Sequence, residues 1–141
     1  MRFMGVNLWA VLVSALATMV VGFVWYSPFL FARPWTVLMG YDPDDKEKLA
    51  EMQKSAGPSY MLSLLASIVS AAVLAKIIAV SAMNAPLQGM LVGLAVWLGF
   101  VTTVQLTNSL FMRQPARLYA INTGYQLICF LAMGAILGTW Q

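Results

Sequence analysis

Four long apolar stretches constrain the fold of this chain more than any other feature of its sequence. They cover residues 6–26, 60–82, 87–109 and 118–140, and a membrane-spanning helix needs roughly 20 mostly apolar residues. Because lipid offers no partner to an open backbone N–H or C=O group, each stretch must form a helix. The sequence therefore predicts an all-α polytopic membrane protein with four transmembrane helices, in a single domain covering residues 1–141.

The composition excludes a water-soluble domain and a disordered chain. Apolar residues make up 61% of the sequence and charged residues only 9%, whereas soluble domains average about 25% charged residues. Disorder requires few apolar residues and many charges. The first stretch also has Ala15 and Ala17 at the spacing of a signal-peptide cleavage site. Its apolar run continues to Tyr26, so we expect an uncleaved helix.

The basic residues predict the orientation of the helices. Lysine and arginine near the ends of spans are enriched on the cytoplasmic side of a membrane. The opposite side of this protein has only Arg2 and Lys76, whose long stem can reach outward. We therefore expect the first and third loops in the cytoplasm and both termini outside. The basic residues of these two loops are Arg33, Lys46, Lys48, Lys54, Arg113 and Arg117.

The first loop, residues 27–59, is long enough to have structure of its own. Residues 28–31 and 34–39 are too apolar for open water and too short to span. They indicate segments that lie at the membrane interface. A short polar helix is predicted to follow, with Asp42 as its N-cap and Pro43 in its first turn.

Small residues recur at every fourth position in the apolar stretches. This spacing places them on one face of a helix, and membrane helices associate by close packing of such faces. The spacing leaves open whether a seam lies within one chain or between copies, and we expect a homo-oligomer. The residues expected at helix–helix seams are Ser63, Ser67, Ala71, Ala75, Gly93, Gly99, Gly134 and Gly138.

The two halves of the chain resemble each other. A shift of 80 residues brings Phe31-Ala32-Arg33 onto Phe111-Met112-Arg113, just past the first and third stretches. Tyr60 and Tyr125 lie near the starts of the second and fourth. These matches are consistent with a duplicated helical hairpin, in which both copies have the same orientation.

Polar residues of the apolar stretches collect at the predicted cytoplasmic end, where Gln105 and Tyr119 belong to the same cluster. One interpretation is a shallow vestibule for a lipid headgroup or a small anion. The other is purely structural, because amides bond across membrane helices and tyrosines form interfacial belts. The candidate vestibule residues are Tyr26, Arg33, Tyr60, Asn108, Arg113, Arg117, Asn122, Tyr125 and Gln126.

The sequence lacks the groups that most enzymes use. It contains no histidine, the commonest general base and metal ligand. All five acidic residues lie in the first loop, without a calcium-binding pattern. Cys129 lies among apolar residues, where a thiol is inert. We expect no catalytic residue, metal or cofactor, and the dispersed basic residues provide no face for nucleic acid.

Several motifs carry a family resemblance. They are residues 6–11, residues 22–28 together with Arg33-Pro34-Trp35, and residues 97–100, 121–125 and 133–138. In these motifs the chain resembles the bacterial family DUF1761, and the resemblance covers nearly its whole length. It implies a small polytopic protein of the bacterial cytoplasmic (inner) membrane, with no established activity.

This chain departs from the family's pattern at two positions. Members often have histidine directly after the Gly-Tyr pair and glutamate shortly after the third span, where this sequence has Gln126 and Met112. The resemblance therefore implies no acid–base role for these positions.

Two functions fit the sequence. The first is a non-catalytic, self-associating helical bundle that binds membrane lipid or a membrane partner whose identity the sequence does not give. The alternative is a passive channel or carrier for a small solute, formed within or between protomers. Because nucleophilic catalysis needs a nucleophile and a base, we expect no enzymatic activity, and the packing stripes favour the first function.

Overall fold

A computed structural model describes residues 2–3, 5–27 and 30–141. Two short strands, β1 (Arg2–Phe3) and β2 (Val6–Asn7), pair in antiparallel fashion at the N-terminus. The described residues then form six helices. These are α1 (Leu8–Trp25), α2 (Ala32–Leu38), α3 (Lys46–Ser55), α4 (Gly57–Val80), α5 (Pro86–Phe111) and α6 (Ala116–Thr139).

The helices α1, α4, α5 and α6 have the length and hydropathy of membrane spans. Their mean hydropathies over 18-residue windows lie between 1.5 and 2.2, which confirms the predicted all-α fold with four spanning helices. α4 begins at Gly57, before the predicted start at Tyr60, because Pro58 suits the first turn of a helix. Asn7 caps α1, and its side-chain oxygen accepts from the backbone N–H of Trp9 at 3.0 Å.

α6 is the central helix of the bundle, since α1, α4 and α5 all pack against it. We call the end where α1 ends and α6 begins the first-loop end, and the opposite end the terminal end. The core lies toward the terminal end and is largely apolar, although Ser14 and Thr18 of α1 are also buried. Its most buried large side chains are at most 3% exposed and include Val11, Leu74, Ile78, Met133 and Leu137.

Glycines on α5 and α6 bring the two backbones into direct contact. Gly89 and Gly93 face Gly134 and Gly138, and a Cβ atom on Gly138 would lie 2.6 Å from the carbonyl oxygen of Ala85. A real Cβ does not approach backbone that closely, so only glycine fits. The contact allows the dispersion and weak hydrogen-bonding interactions that hold membrane helices together.

The small residues of α4 divide into two groups along the helix. Ala71 and Ala75 are buried in the core cluster, near the terminal end. Ser67 is half-buried, and its hydroxyl forms a hydrogen bond with the hydroxyl of Thr18 on α1, whose own proton goes to the carbonyl of Ala15; the two hydroxyl oxygens are 3.0 Å apart. Ser63 is exposed. The predicted α4 seam therefore packs within the chain from Ser67 onward, and its earlier part, at Ser63, faces outward.

A π-helical turn, Trp97–Val101, interrupts α5. Before this turn α5 packs closely on α6, and after it the two helices separate. π turns are rare and frequently occur at functional sites. A Cβ atom on Gly99 would meet no heavy atom of the described chain within 4 Å, so a seam at Gly99 between two copies stays a prediction. The separation leaves space beside the second half of α5.

The first loop is partly helical. α2 begins at Ala32 and covers most of the predicted interfacial segment 34–39. Pro28 and Phe29, in the other predicted segment, lie outside the described residues.

The predicted polar helix of the first loop is α3, but it begins at Lys46, so the predicted N-cap and the predicted place of Pro43 in the first turn are both wrong. Asp45 caps it by accepting from the backbone N–H of Lys48 at 3.2 Å. Asp42 instead accepts from the backbone N–H of Asp44 at 2.9 Å, within a turn that precedes the helix. Both aspartates can cap a helix. Because Asp42 is engaged in the local turn, Asp45 is the N-cap and the helix begins after it.

Candidate functional site

A cavity of about 300 Å³ lies at the first-loop end, where α5 has separated from α6. Every side chain that lines it carries an uncharged polar group. We call it the polar cavity. Its lining residues are Tyr26, Gln105, Asn108, Ser109, Gln114, Tyr119, Asn122, Tyr125 and Gln126.

Helical spacing explains why these residues share one cavity. Gln105, Asn108 and Ser109 are three and four residues apart on α5, and Tyr119, Asn122 and Gln126 have the same spacing on α6. Such positions lie on one face of a helix. The two polar faces meet across the gap that follows the π turn, and the end of α1 adds Tyr26.

Three tyrosine hydroxyl groups in the lining donate to other helices. Tyr26 donates to the side-chain oxygen of Asn122 at 2.7 Å, and Tyr125 donates to the backbone carbonyl of Thr18 at 3.1 Å. Tyr119 donates to the backbone carbonyl of Thr102 at 3.0 Å. These bonds connect α1 to α6 and α6 to α5, so the lining is fixed by hydrogen bonds between helices.

Two tryptophans, one on α1 and one on α5, donate hydrogen bonds to backbone carbonyls of α6. The indole N–H of Trp25, at the end of α1, donates to the carbonyl of Ile121 at 3.0 Å. The indole N–H of Trp97, in the π turn of α5, donates to the carbonyl of Thr123 at 2.9 Å. Both bonds reach the first half of α6, which carries the α6 residues of the cavity lining. They therefore fix how far α1 and α5 lie from α6 beside the polar cavity.

Gln105 differs from the other lining residues in its hydrogen bonding. Its Oε1 atom is buried, and no donor within the described part of the chain reaches it. A buried acceptor without a partner costs about 1–3 kcal/mol. The Gln105 side chain lines the polar cavity, but the Oε1 atom itself is buried beneath the surface, so a ligand could supply the missing donor once the amide turns toward the cavity.

A second depression, of about 580 Å³, runs along the exposed face of α5. We call it the α5 groove. Gln105 and Asn108 line both the polar cavity and the groove. The cavity therefore adjoins a face of α5 that points away from the bundle. The other residues of the groove are Thr103, Val104, Thr107 and Phe111.

Five of the nine predicted vestibule residues line the polar cavity: Tyr26, Asn108, Asn122, Tyr125 and Gln126. Gln105 and Tyr119, which the sequence placed in the same polar cluster, line it as well. Ser109 and Gln114 were missed, although both lie within six residues of Asn108. Ser109 lies next to a predicted residue, and Gln114 belongs to the loop between α5 and α6.

The other four predicted residues lie outside the cavity lining. Arg33 forms an exposed ion pair with Asp44 at 3.6 Å. The ring of Tyr60 lies 6.1 Å from that of Phe23, on the outer surface. The side chains of Arg113 and Arg117 are exposed, in the third loop and the first turn of α6. The cavity wall therefore has amides and hydroxyls but no charged group.

The chemistry available in this lining is hydrogen bonding. The nine lining side chains offer phenol, amide and hydroxyl groups, with no imidazole, thiol, carboxylate or ammonium among them. These groups can recognise an uncharged polar ligand and orient it.

The comparisons with known proteins identify one family. The family model described as "Protein of unknown function (DUF1761)" matches residues 9–138, nearly the whole chain, and the resemblance drawn from the sequence motifs is confirmed. Comparison with curated proteins and with solved structures gives no match.

Proposed function

The chain belongs to the DUF1761 family, and we propose that it is a non-catalytic membrane protein whose polar cavity binds the head of a lipid. The observation that carries this proposal is that Gln105 and Asn108 line both the polar cavity and the α5 groove. A ligand can therefore have its polar part among the amides of the cavity and its apolar part on the outer face of the same helix.

The position of the cavity along the helices supports a lipid ligand. The cavity lies near the ends of α1 and α5 and the start of α6. The ends of membrane spans lie near the polar headgroup region, and their middles lie in the hydrocarbon. A headgroup at this depth could enter the cavity while its acyl chains stay in the bilayer.

The exposed face of α5 supports the same ligand. Val104 and Phe111 in the groove are 66% and 84% exposed, and Thr103 and Thr107 lie beside them. In a bilayer this face contacts either acyl chains or another helix. The threonine hydroxyls of α5 donate to carbonyls of their own helix, as at Thr107 to Thr103 at 3.1 Å, so they tolerate an apolar neighbour.

Passage of a solute through one protomer is less well supported. Beyond the cavity the core toward the terminal end is filled by Leu74, Ile78, Met133 and Leu137. A polar solute would have to cross this apolar layer, where its hydrogen bonds would be lost at a cost of several kcal/mol. We therefore favour binding over the channel or carrier that the sequence left as an alternative.

The orientation that we propose places the polar cavity in the inner leaflet. The first-loop end carries six of the eight basic residues, which favours the cytoplasmic side of a bacterial cytoplasmic membrane, with both termini outside. We also propose that copies of the chain associate, because the first half of α4 and the second half of α5 expose small residues. Such faces are typical of contacts between membrane helices.

Native mass spectrometry of the purified protein in mild detergent tests the proposal. We expect wild-type protein to retain lipid, and Asn108→Leu to retain roughly two- to tenfold less, since one hydrogen bond contributes about 0.5–1.5 kcal/mol. Gln53→Leu, an exposed amide on α3, is the matched control and should bind as wild type does. Wild-type protein that carries no lipid, and takes up none when lipid is added back, would contradict the proposal.

A further inference from the structure

The phenol groups of the polar cavity can offer a ligand only acceptors. Tyr119 and Tyr125 donate their protons to backbone carbonyls, which cannot donate in return, so the direction of both bonds is fixed. Each phenol oxygen then has lone pairs but no proton for a ligand. Tyr26 donates its proton to Asn122 as well.

Gln105 adds an acceptor of the same kind. Its Oε1 atom is buried without a donor among the described residues, and its side chain lines the polar cavity. The phenol oxygens of Tyr26 and Tyr119 and the amide oxygen of Gln105 therefore lack donors among the described residues, whereas the oxygen of Tyr125 lies beside the thiol of Cys129. A ligand that satisfies the acceptors without donors must present several O–H or N–H groups.

The charge of the lining restricts the ligand further. A phosphate group has acceptors only; the lining amides could donate to it, but no lining residue is a cation that could balance its charge, because Arg113 and Arg117 lie outside the lining. An ammonium group has donors, but no lining residue is a carboxylate that could balance its charge. Burying an unpaired charge is far more costly than burying a hydrogen-bonded neutral group, so uncharged hydroxyl donors fit best.

Resting on the proposed function, we propose that the polar cavity selects lipids whose head is uncharged and rich in hydroxyl groups, such as glycosyl diacylglycerols. The head donates to the phenol oxygens of Tyr26 and Tyr119 and to Gln105, and the amide N–H groups of the cavity donate to its remaining oxygens. The acyl chains follow the α5 groove past Val104 and Phe111.

Binding of matched lipids to the full-length protein in detergent micelles tests this selectivity. The probes are glucosyl diacylglycerol, phosphatidylglycerol and phosphatidylethanolamine with identical acyl chains, and the readout is the dissociation constant from native mass spectrometry titration. We expect glucosyl diacylglycerol to bind about tenfold more tightly than either phospholipid. A preference of less than threefold, or a preference for a phospholipid, overturns the inference but leaves lipid binding intact. Absence of binding by all three overturns the proposed function itself.

Competition with free glucose shows whether the cavity recognises the sugar as part of a lipid or as a free molecule. If the ligand is a lipid, millimolar glucose displaces little glucosyl diacylglycerol, because the acyl chains contribute most of the affinity. If glucose displaces it completely at that concentration, the selectivity for hydroxyl donors stands and the lipid part of the proposal fails.

Two variants separate recognition from folding. Gln105→Met keeps the size of the side chain and removes the unsatisfied acceptor, and we expect affinity for glucosyl diacylglycerol to fall about three- to tenfold. Gln105→Glu adds a negative charge, and we expect the preference to move toward phosphatidylethanolamine, whose ammonium can pair with it. Unchanged affinities and preference in both variants, at wild-type thermal stability, would overturn the role of Gln105. Tyr60→Phe removes a phenol outside the cavity and should change neither affinity.

Discussion

The hydroxyl of Tyr26, one residue past the first spanning helix, donates to the side-chain oxygen of Asn122 on the fourth at 2.7 Å. The two residues are 96 positions apart in the chain, and both line the polar cavity. The ring of Tyr26 also lies edge-on to that of Tyr125, with 5.4 Å between ring centroids. This pair therefore joins the end of α1 to α6 and forms part of the wall of the candidate site.

Removing this hydroxyl should destabilise the protein measurably. Tyr26→Phe leaves the Asn122 oxygen without its donor, and hydrogen bonds between membrane helices contribute on average about 0.6 kcal/mol and up to roughly 2 kcal/mol. We expect a lower midpoint of thermal unfolding in detergent, followed by tryptophan fluorescence. Tyr41→Phe, in the loop between α2 and α3, is the control. Equal midpoints for the two variants would show that the bond contributes nothing.

Gly134 and Gly99 should respond in opposite ways to the same substitution. A Cβ atom on Gly134 would lie 2.7 Å from the backbone carbonyl carbon of Gly89, whereas one on Gly99 would meet nothing within 4 Å. Gly134→Ala therefore has to push α5 and α6 apart, and we expect a loss of several kcal/mol or failure to fold. Gly99→Ala should be neutral or should stabilise by up to about 1 kcal/mol, because alanine favours helix more than glycine does.

The recovery of monodisperse protein by size-exclusion chromatography in detergent measures this difference. Gly134→Ala at wild-type recovery and stability would contradict the backbone contact. A loss of stability for Gly99→Ala would instead indicate that Gly99 packs against a second copy of the chain.

The spans and the family could be predicted from the sequence because each depends on local information. Hydropathy over about 20 residues identifies α1, α4, α5 and α6, and five of nine vestibule residues followed from polar groups at helical spacing. The sequence predicted three arginines in the vestibule, but none lines the polar cavity. Closeness in the sequence does not show which way a side chain points, and Arg33 pairs with Asp44 instead.

The shape of the site could not be predicted, because it depends on packing between distant residues. The π turn at Trp97–Val101 has no Pro within it, and its effect appears only in the separation of α5 from α6. The same holds for the N-cap of α3, where two aspartates compete and a local turn decides between them. The internal duplication of the chain stays a prediction, as does self-association.

Topology can be tested with introduced cysteines. We expect Asn84→Cys, in the exposed turn between α4 and α5, to react with a membrane-impermeant maleimide in intact bacterial cells. Lys48→Cys, on exposed α3, should react only after the cells are permeabilised. Cys129 is 1% exposed and should react in neither case, so the otherwise unaltered chain is the control. Labelling of both introduced cysteines in intact cells would contradict the proposed orientation.

Trp97 should control the mobility of the second half of α5. Its indole N–H donates to the carbonyl of Thr123 at 2.9 Å, from a π turn beyond which α5 makes few contacts with α6. Trp97→Phe keeps an aromatic ring and loses this bond, so residues 102–111 should open more often. We expect their backbone amides to exchange with deuterium about two- to tenfold faster, the range that about 0.5–1.5 kcal/mol for one hydrogen bond implies.

The control for this variant is Trp9→Phe, which alters an indole that is 55% exposed on α1. It should leave exchange in 102–111 unchanged. Amides of residues 86–96 provide an internal reference, since the glycine contacts with α6 hold that half of α5 in both variants. Equal acceleration in both halves would mean that Trp97 stabilises the whole helix, and the π turn would then not divide α5 into a fixed and a mobile part.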